Sequence, residues 1–257
     1  MTDSTLPPTV DANQVTRESV ERFVDYFRRR IGEISSIESP SRQLYDKLLY
    51  MSVLDALSKS VFPRRRSRDR LVSFVKQFSK WEDSQRVSLP HLVRLLKKAP
   101  DPAFERLRLF AVDSFTQWQV HNGMLTPISA DPDIEDIKRL WPGGQEYKFP
   151  LEDISLESLQ HSNLFYTLRN SLVHELRPLG HGMDFDRQST PYYHRLSQVG
   201  DTLNDVLLSI ELVYPSQFLN ALCTQCLDAF QLYFSSNSLD PYDYYTFGTY
   251  WIEELNE

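Results

Sequence analysis

Apolar residues recur at spacings of three and four along most of this chain, and this periodicity limits its fold more than any other feature. Between residues 16 and 37, for example, Val20, Phe23, Val24 and Phe27 fall on one face of a helix. The same pattern predicts helices over residues 44–61, 66–81, 89–98, 102–118, 155–176 and 215–234, with a short one near 134–140. Only 8 of 257 residues are glycine. A mainly α fold is therefore expected.

The helical period of apolar residues weakens after the helix predicted over 155–176. Segments 183–186, 192–196 and 207–214 fit a small antiparallel β element, although 203–212 fits a helix equally well. We expect a flexible tail over 1–15, a single helical domain over 16–238, and an acidic, aromatic C-terminal segment over 239–257.

Several protein classes are excluded at this stage. No apolar run approaches the roughly 18 residues of a membrane span, and the N-terminus lacks the basic and apolar regions of a secretory signal. Two cysteines are too few for a disulfide framework, so the chain is expected to be cytoplasmic. Cys223 and Cys226 form one CxxC without a second pair of ligands, which favours core packing over a metal site. His91 and His121 are interpreted as ordinary surface or loop histidines.

The charge is distributed unevenly along the chain. The net charge is -7, yet residues 61–100 contain 11 Lys and Arg against 3 acidic residues, whereas residues 201–257 contain 9 acidic residues and no Lys or Arg. Nucleic-acid phosphates are bound by Lys and Arg, and the predicted RNA-binding arginines of the basic segment are Arg64, Arg65, Arg66, Arg68 and Arg70. A solvated helix face is the alternative interpretation.

Arg169 is placed unusually in the helix predicted over 155–176. At about 100° per residue, it falls within the apolar arc formed by Leu168 and Leu172, while Asn170 and His174 form a polar stripe beside that arc. A guanidinium in an apolar face is costly unless an anionic or polar group meets it. The alternative is an arginine that extends past its neighbours to water.

The pattern Arg169-Asn170-x-x-x-His174 resembles the catalytic motif of the HEPN (higher eukaryotes and prokaryotes nucleotide-binding) superfamily. Residues 174–178, 180–183 and 191–194 are also similar to uncharacterised bacterial HEPN-like proteins. The resemblance implies a HEPN-like helical bundle, here with additional N-terminal helices and the small β element after the motif helix. It further implies a metal-independent endoribonuclease without cofactors, acting as a homodimer whose two motifs face each other.

The resemblance also implies roles for the motif residues. His174 would transfer the proton of a ribose 2'-hydroxyl or of the leaving 5'-oxygen, Arg169 would bind the phosphate, and Asn170 would orient either group. The products would be a 2',3'-cyclic phosphate and a 5'-hydroxyl. Arg177 is a further predicted RNA contact, and His181 and His194 are alternatives for a second acid or base.

Three interpretations remain open from the sequence. The first is the ribonuclease, in a toxin-antitoxin or phage-defence setting with an antitoxin or sensor protein as partner. The second is a non-catalytic HEPN-like module that binds a nucleotide or a protein. The third is a helical scaffold in which Arg169 and His174 only satisfy buried polar groups.

Overall fold

The computed structural model describes residues 12–98, 100–121, 123–143, 146–151, 154–199 and 206–245. Within these residues the chain forms eight α-helices and one three-stranded antiparallel sheet, which confirms the mainly α fold with a small β element. The helices are α1 Ala12–Ser35, α2 Arg42–Val61, α3 Ser67–Phe78, α4 Leu89–Lys98, α5 Glu105–His121, α6 Ile134–Leu140, α7 His161–Glu175 and α8 Ser216–Asn237. The strands are β1 Leu125–Pro127, β2 Tyr192–Val199 and β3 Val206–Val213.

Helix α1 begins four residues before the predicted boundary of the N-terminal tail. Its first turns are stabilised on the surface by the Gln14–Glu18 hydrogen bond and the Arg17–Glu21 ion pair. Pairs spaced four residues apart support a helix without burying apolar area. The apolar period that begins at Val20 therefore does not show where the helix starts, and residues 1–11 lie outside the described part of the chain.

The larger of two hydrophobic cores lies between α1, α2, α3, α7 and α8. Phe23 of α1 stacks on Phe230 of α8 with ring centroids 5.2 Å apart. Cys223 and Cys226 are free thiols in this core, which confirms that they serve in packing. Burial raises the pKa of both thiols, so both remain protonated and unreactive at neutral pH.

A second hydrophobic core joins α4, α5 and α6. Phe104 packs edge-on against Trp141 and stacks on Phe149, with centroid distances of 5.1 and 5.7 Å. Asp101 accepts a hydrogen bond from the backbone N–H of Ala103 and so caps the turn that leads into α5.

The sheet has the order β1-β2-β3, and both pairings are antiparallel. The prediction of a strand over 183–186 is wrong, because the N–H groups of Met183 and Phe185 donate to the side chains of His194 and Tyr192 instead of pairing with a strand. The third strand is β1, which lies in a segment for which the apolar pattern predicts neither a helix nor a strand. The helix alternative over 203–212 is wrong from residue 206 onward, where β3 pairs with β2; residues 203–205 lie outside the described part.

Two chain segments at the ends of helices shape the motif region. The helix predicted over 155–176 begins later than expected. Residues 156–159 form a 3₁₀ turn, and α7 begins at His161. Helix α7 ends at Glu175, and the capping residue Leu176 adopts a left-handed conformation with φ 52°. The start of the C-terminal segment packs on the larger core, where the Tyr245 hydroxyl donates to the carbonyl of Ala56; residues 246–257 are not described. None of the described helices combines the length and apolarity needed to cross a membrane.

Candidate functional site

Arg169 lies on the face of α7 that packs against α2, and its guanidinium is paired with Asp55 of that helix. Nε and Nη2 lie 2.7 and 2.5 Å from Asp55 Oδ2, and only 17% and 16% of the two side chains are exposed. The guanidinium in the apolar arc thus meets an anionic group, as its position required. Asp55 Oδ1 is buried and has no hydrogen-bond partner among the described residues, so this oxygen remains an unused acceptor.

Asn170 and His174 continue the motif toward the end of α7. Arg169 Nη1 donates a 3.3 Å hydrogen bond to Asn170 Oδ1, so the Arg169 guanidinium contacts both Asp55 and Asn170. His174 is exposed in the last helical turn and has no hydrogen bond to another described residue. Five residues of helix place it about 7.5 Å from Arg169 along the axis. The fold therefore brings together Arg169, Asn170 and Asp55 within one chain. His174 faces solvent further along α7.

The predicted RNA-binding arginines lie at the other end of α7. Arg68 donates two hydrogen bonds, of 3.1 and 3.2 Å, to Asn163 Oδ1 in the first turn of that helix. Eleven residues separate Asn163 from His174, which corresponds to about 16 Å of helix. An extended nucleic acid along α7 can reach both regions, whereas a mononucleotide cannot.

The arginines of this basic segment differ in their exposure and in their contacts with other side chains. Arg64 and Arg66 are exposed, without an ion pair in the part of the chain that the structure describes. Arg65 stacks over the Phe62 ring at 4.2 Å and donates to Ser73 Oγ, and Arg70 is partly buried. Arg64 and Arg66 are consequently the most available for a phosphate.

Arg177 and the alternative histidine His181 lie in the loop that follows α7, and the other alternative, His194, lies in β2. Arg177 is exposed and paired with Glu175 at 2.7 Å, a contact that costs little to exchange for a phosphate. His181 is also exposed. His194 is buried in β2, where Nδ1 accepts a hydrogen bond from the N–H of Met183. The interpretation of His194 as a second acid or base at an RNA phosphate is therefore wrong, because no substrate reaches it.

A buried polar network that sequence reasoning missed lies behind the start of α7. His161 Nε2 is 2.7 Å from Asp131 Oδ2, and both side chains are fully buried. The Tyr193 hydroxyl lies 2.6 Å from the same oxygen and 2.7 Å from Ser88 Oγ. Burial, together with the Asp131 charge, raises the pKa of Tyr193 well above its ordinary value. The network members are far apart in sequence, so no spacing could have identified them.

The network continues to the molecular surface through one histidine. Ser88 Oγ lies 2.6 Å from Nδ1 of His91, in the first turn of α4. Partial desolvation lowers the pKa of His91, although the residue keeps an exposed edge. His91 is thus a surface histidine, as predicted. The buried Asp131 carboxylate holds it in place through the hydroxyl groups of Tyr193 and Ser88.

Exposed apolar side chains occur at the motif end of α7. Val173, Leu176 and Leu179 are exposed, Leu176 by 58%, and Leu49 is an exposed apolar residue of α2, the helix that packs against α7. The segment after α7 is held against the start of α2 by the buried Lys47–Asp184 ion pair at 3.1 Å. Clusters of exposed apolar residues are typical of interaction surfaces.

Comparison of the chain with protein-family models, with curated proteins and with solved structures gives no match. The HEPN resemblance accordingly rests on the motif residues and their setting. Among the described residues, no group of three or more His, Cys, Asp or Glu side chains is arranged to hold a metal ion.

Proposed function

We propose that this chain is a metal-independent endoribonuclease of the HEPN type that acts as a homodimer. The observation that carries the proposal is the arrangement on α7, where an Arg169 oriented by Asp55 and Asn170 is followed by the exposed imidazole of His174. Preorganised cations and proton-transferring imidazoles are what cleavage by an internal 2'-hydroxyl needs.

In the proposed reaction, the imidazole of His174 removes the proton of the ribose 2'-hydroxyl or protonates the leaving 5'-oxygen. The 2'-oxygen forms a bond to phosphorus as the bond from phosphorus to the 5'-oxygen breaks, which gives a 2',3'-cyclic phosphate and a 5'-hydroxyl. Asp55 holds Nε and Nη2 of Arg169, so Nη1, on the Asn170 side, is the group directed at the phosphate.

The proposed dimer supplies a second imidazole to the reaction. In-line cleavage uses both a base and an acid, and each motif contributes one imidazole at the end of α7. A second copy packed on the exposed Val173, Leu176 and Leu49 brings a second His174 into the same site. Cytoplasmic location, a toxin-antitoxin or phage-defence setting, and an antitoxin or sensor partner belong to this proposal.

Cleavage of single-stranded RNA in EDTA tests the proposal. The wild type is expected to produce fragments with 2',3'-cyclic phosphate and 5'-hydroxyl ends, and His174→Ala to lose at least about a hundredfold in rate. His181→Ala is measured in parallel, because the exposed His181 is the alternative second acid or base: the rate should be unchanged if the second imidazole is the His174 of another copy. Equal cleavage by the wild type and His174→Ala would sink the assignment.

One observation favours the second and third interpretations. The positive charge of Arg169 is already matched by Asp55, as expected for a guanidinium that stabilises the α2–α7 contact and nothing else. The double variant Asp55→Leu/Arg169→Met separates these cases: a ribonuclease loses cleavage in it, a binding module keeps its nucleotide or protein binding, and a scaffold shows neither activity before or after the change.

A further inference from the structure

A cleft of about 550 Å³ lies between α4, α7, β3 and the loop that follows α7. None of Arg169, Asn170 and His174 lines it. Apolar side chains form much of its wall, among them Leu164 and Leu168. Clefts of this size that combine apolar walls with a few polar groups are typical of small-molecule sites.

Cationic side chains are concentrated on the α4 side of this cleft. His91, Arg94 and Lys97 are spaced three residues apart and so share one helical face. Arg94 and Lys97 are exposed, and the described residues provide no ion-pair partner for either. The charge of Lys47, which also lines the cleft, is matched by Asp184. An anion that enters the cleft therefore meets two uncompensated positive charges.

Two further polar groups in the cleft are oriented but incompletely used. Ser88 binds Nδ1 of His91, which fixes the ring and leaves Nε2 without a partner among the described residues. Ser209 Oγ on β3 is buried at the cleft and likewise has no hydrogen-bond partner in the described part of the chain. Buried hydroxyls without partners are uncommon, because each costs free energy.

Glu211 is the carboxylate among the lining residues; it lies against Gly180 of the loop, and its charge also acts on His91 of α4. Gly180 has φ 72°, a backbone conformation that favours glycine, and a side chain there would also have to displace the Glu211 carboxylate. A ligand that spans the cleft has its anionic end at α4 and a hydrogen-bond donor near Glu211.

We propose that this cleft binds a small phosphate monoester with an apolar body, and that Arg94, Lys97 and His91 Nε2 contact the phosphate. The apolar wall of α7 and β3 covers the body of the ligand, and Ser209 supplies a hydroxyl for hydrogen bonding. The site is independent of the proposed ribonuclease motif, since it shares no residue with it.

Isothermal titration of the full chain with three probes tests the ligand class. Phenyl phosphate is expected to bind more tightly than inorganic phosphate, because it also covers apolar surface. Benzyl alcohol, which lacks the anion, is expected not to bind measurably. Equal affinity for phenyl phosphate and inorganic phosphate, or tighter binding of the alcohol, would overturn the proposal.

Charge-matched variants test the location of the site. Arg94→Gln/Lys97→Gln is expected to weaken phenyl phosphate binding roughly tenfold or more, since each charge-assisted hydrogen bond is strong. Lys98→Gln/Arg106→Gln removes the same charge from exposed positions that do not line the cleft and should leave the affinity within about twofold. Glu211→Gln should tighten inorganic phosphate binding, because it removes a nearby negative charge.

A proton NMR titration supplies a readout that does not depend on stability. The imidazole resonances of His91 should shift on addition of phenyl phosphate, while those of the exposed His174 should not. Equal weakening in the two double variants, or unshifted His91 resonances at saturation, would show that binding occurs elsewhere and overturn the proposal. RNA cleavage should be unchanged in Arg94→Gln/Lys97→Gln, which separates this site from the proposed ribonuclease.

Discussion

At the residue scale, the pairing of Arg169 with Asp55 links the motif to the core. The two side chains are mostly buried, and their contact joins α2 to α7. The apolar arc of α7 identifies the arginine from the sequence but not the carboxylate that meets it. Asp55 interrupts an apolar row of α2 that contains Met51, and a charge in such a row is a signal that could have identified it.

Removal of one partner of this pair should destabilise the fold. Arg169→Met leaves the Asp55 carboxylate without a counter-charge in a mostly buried position, so we expect a loss of about 2 kcal/mol in unfolding free energy. The double variant Asp55→Leu/Arg169→Met should recover most of that loss. Urea unfolding followed by circular dichroism measures both changes.

Arg177→Met is the control, because its ion pair with Glu175 is exposed and contributes little. We expect less than about 0.5 kcal/mol for this variant. A loss for Arg169→Met no larger than that of the control would contradict a structural role for the Asp55 contact.

At the element scale, the bounds of most helices and of the long strands β2 and β3 follow the sequence closely, whereas the third strand does not. The apolar period identified α2, α4 and α8 to within a few residues, because a helix is defined by contacts between residues three and four apart. Strand β1 pairs with β2 across more than sixty residues of sequence, for instance Thr126 with Tyr193. Such pairing leaves no local pattern in a segment of three residues.

Asp131 is the residue through which several elements are joined. It accepts hydrogen bonds from the backbone N–H of Leu89 at the start of α4 and from Tyr193 of β2, and it pairs with His161 at the start of α7. Asp131→Ala leaves the buried Leu89 N–H and His161 Nε2 without their partner and removes one of two from the Tyr193 hydroxyl, so we expect a loss of about 3–5 kcal/mol in unfolding free energy. Amide hydrogen exchange should accelerate first at the starts of α4 and α7.

The exposed Asp133 is the matched control for Asp131. It lies two residues away, and its contact with Arg86 is a 3.6 Å surface ion pair. We expect Asp133→Ala to cost less than about 1 kcal/mol. If the two alanine variants proved equally stable, the buried network would not be what holds these elements together.

At the scale of the whole molecule, the cationic side chains of residues 61–100 lie on two different parts of the fold. The basic segment lies at the start of α7, and Arg94 and Lys97 line a cleft on α4. The motif lies at the other end of α7, beside exposed apolar residues. This arrangement leaves the motif end free for a second copy of the chain.

The proposed homodimer can be tested by sedimentation. The wild type is expected to be dimeric at micromolar concentration, and Val173→Glu/Leu176→Glu to be monomeric, because a charge buried in an interface is costly. Met124→Glu/Leu232→Glu, at exposed positions away from the motif, should stay dimeric. A wild type that is monomeric at high micromolar concentration would contradict the homodimer.

The sequence alone determined the helical class, the places of most helices, the packing role of Cys223 and Cys226, and the demand of Arg169 for a partner. These features depend on periodicity and residue chemistry, which are local. Tertiary structure decided that Asp55 is the partner, that His194 is buried, and that Asp131 and His91 belong to one network. Each of these depends on contacts between distant segments, which form only when the whole chain packs around its cores.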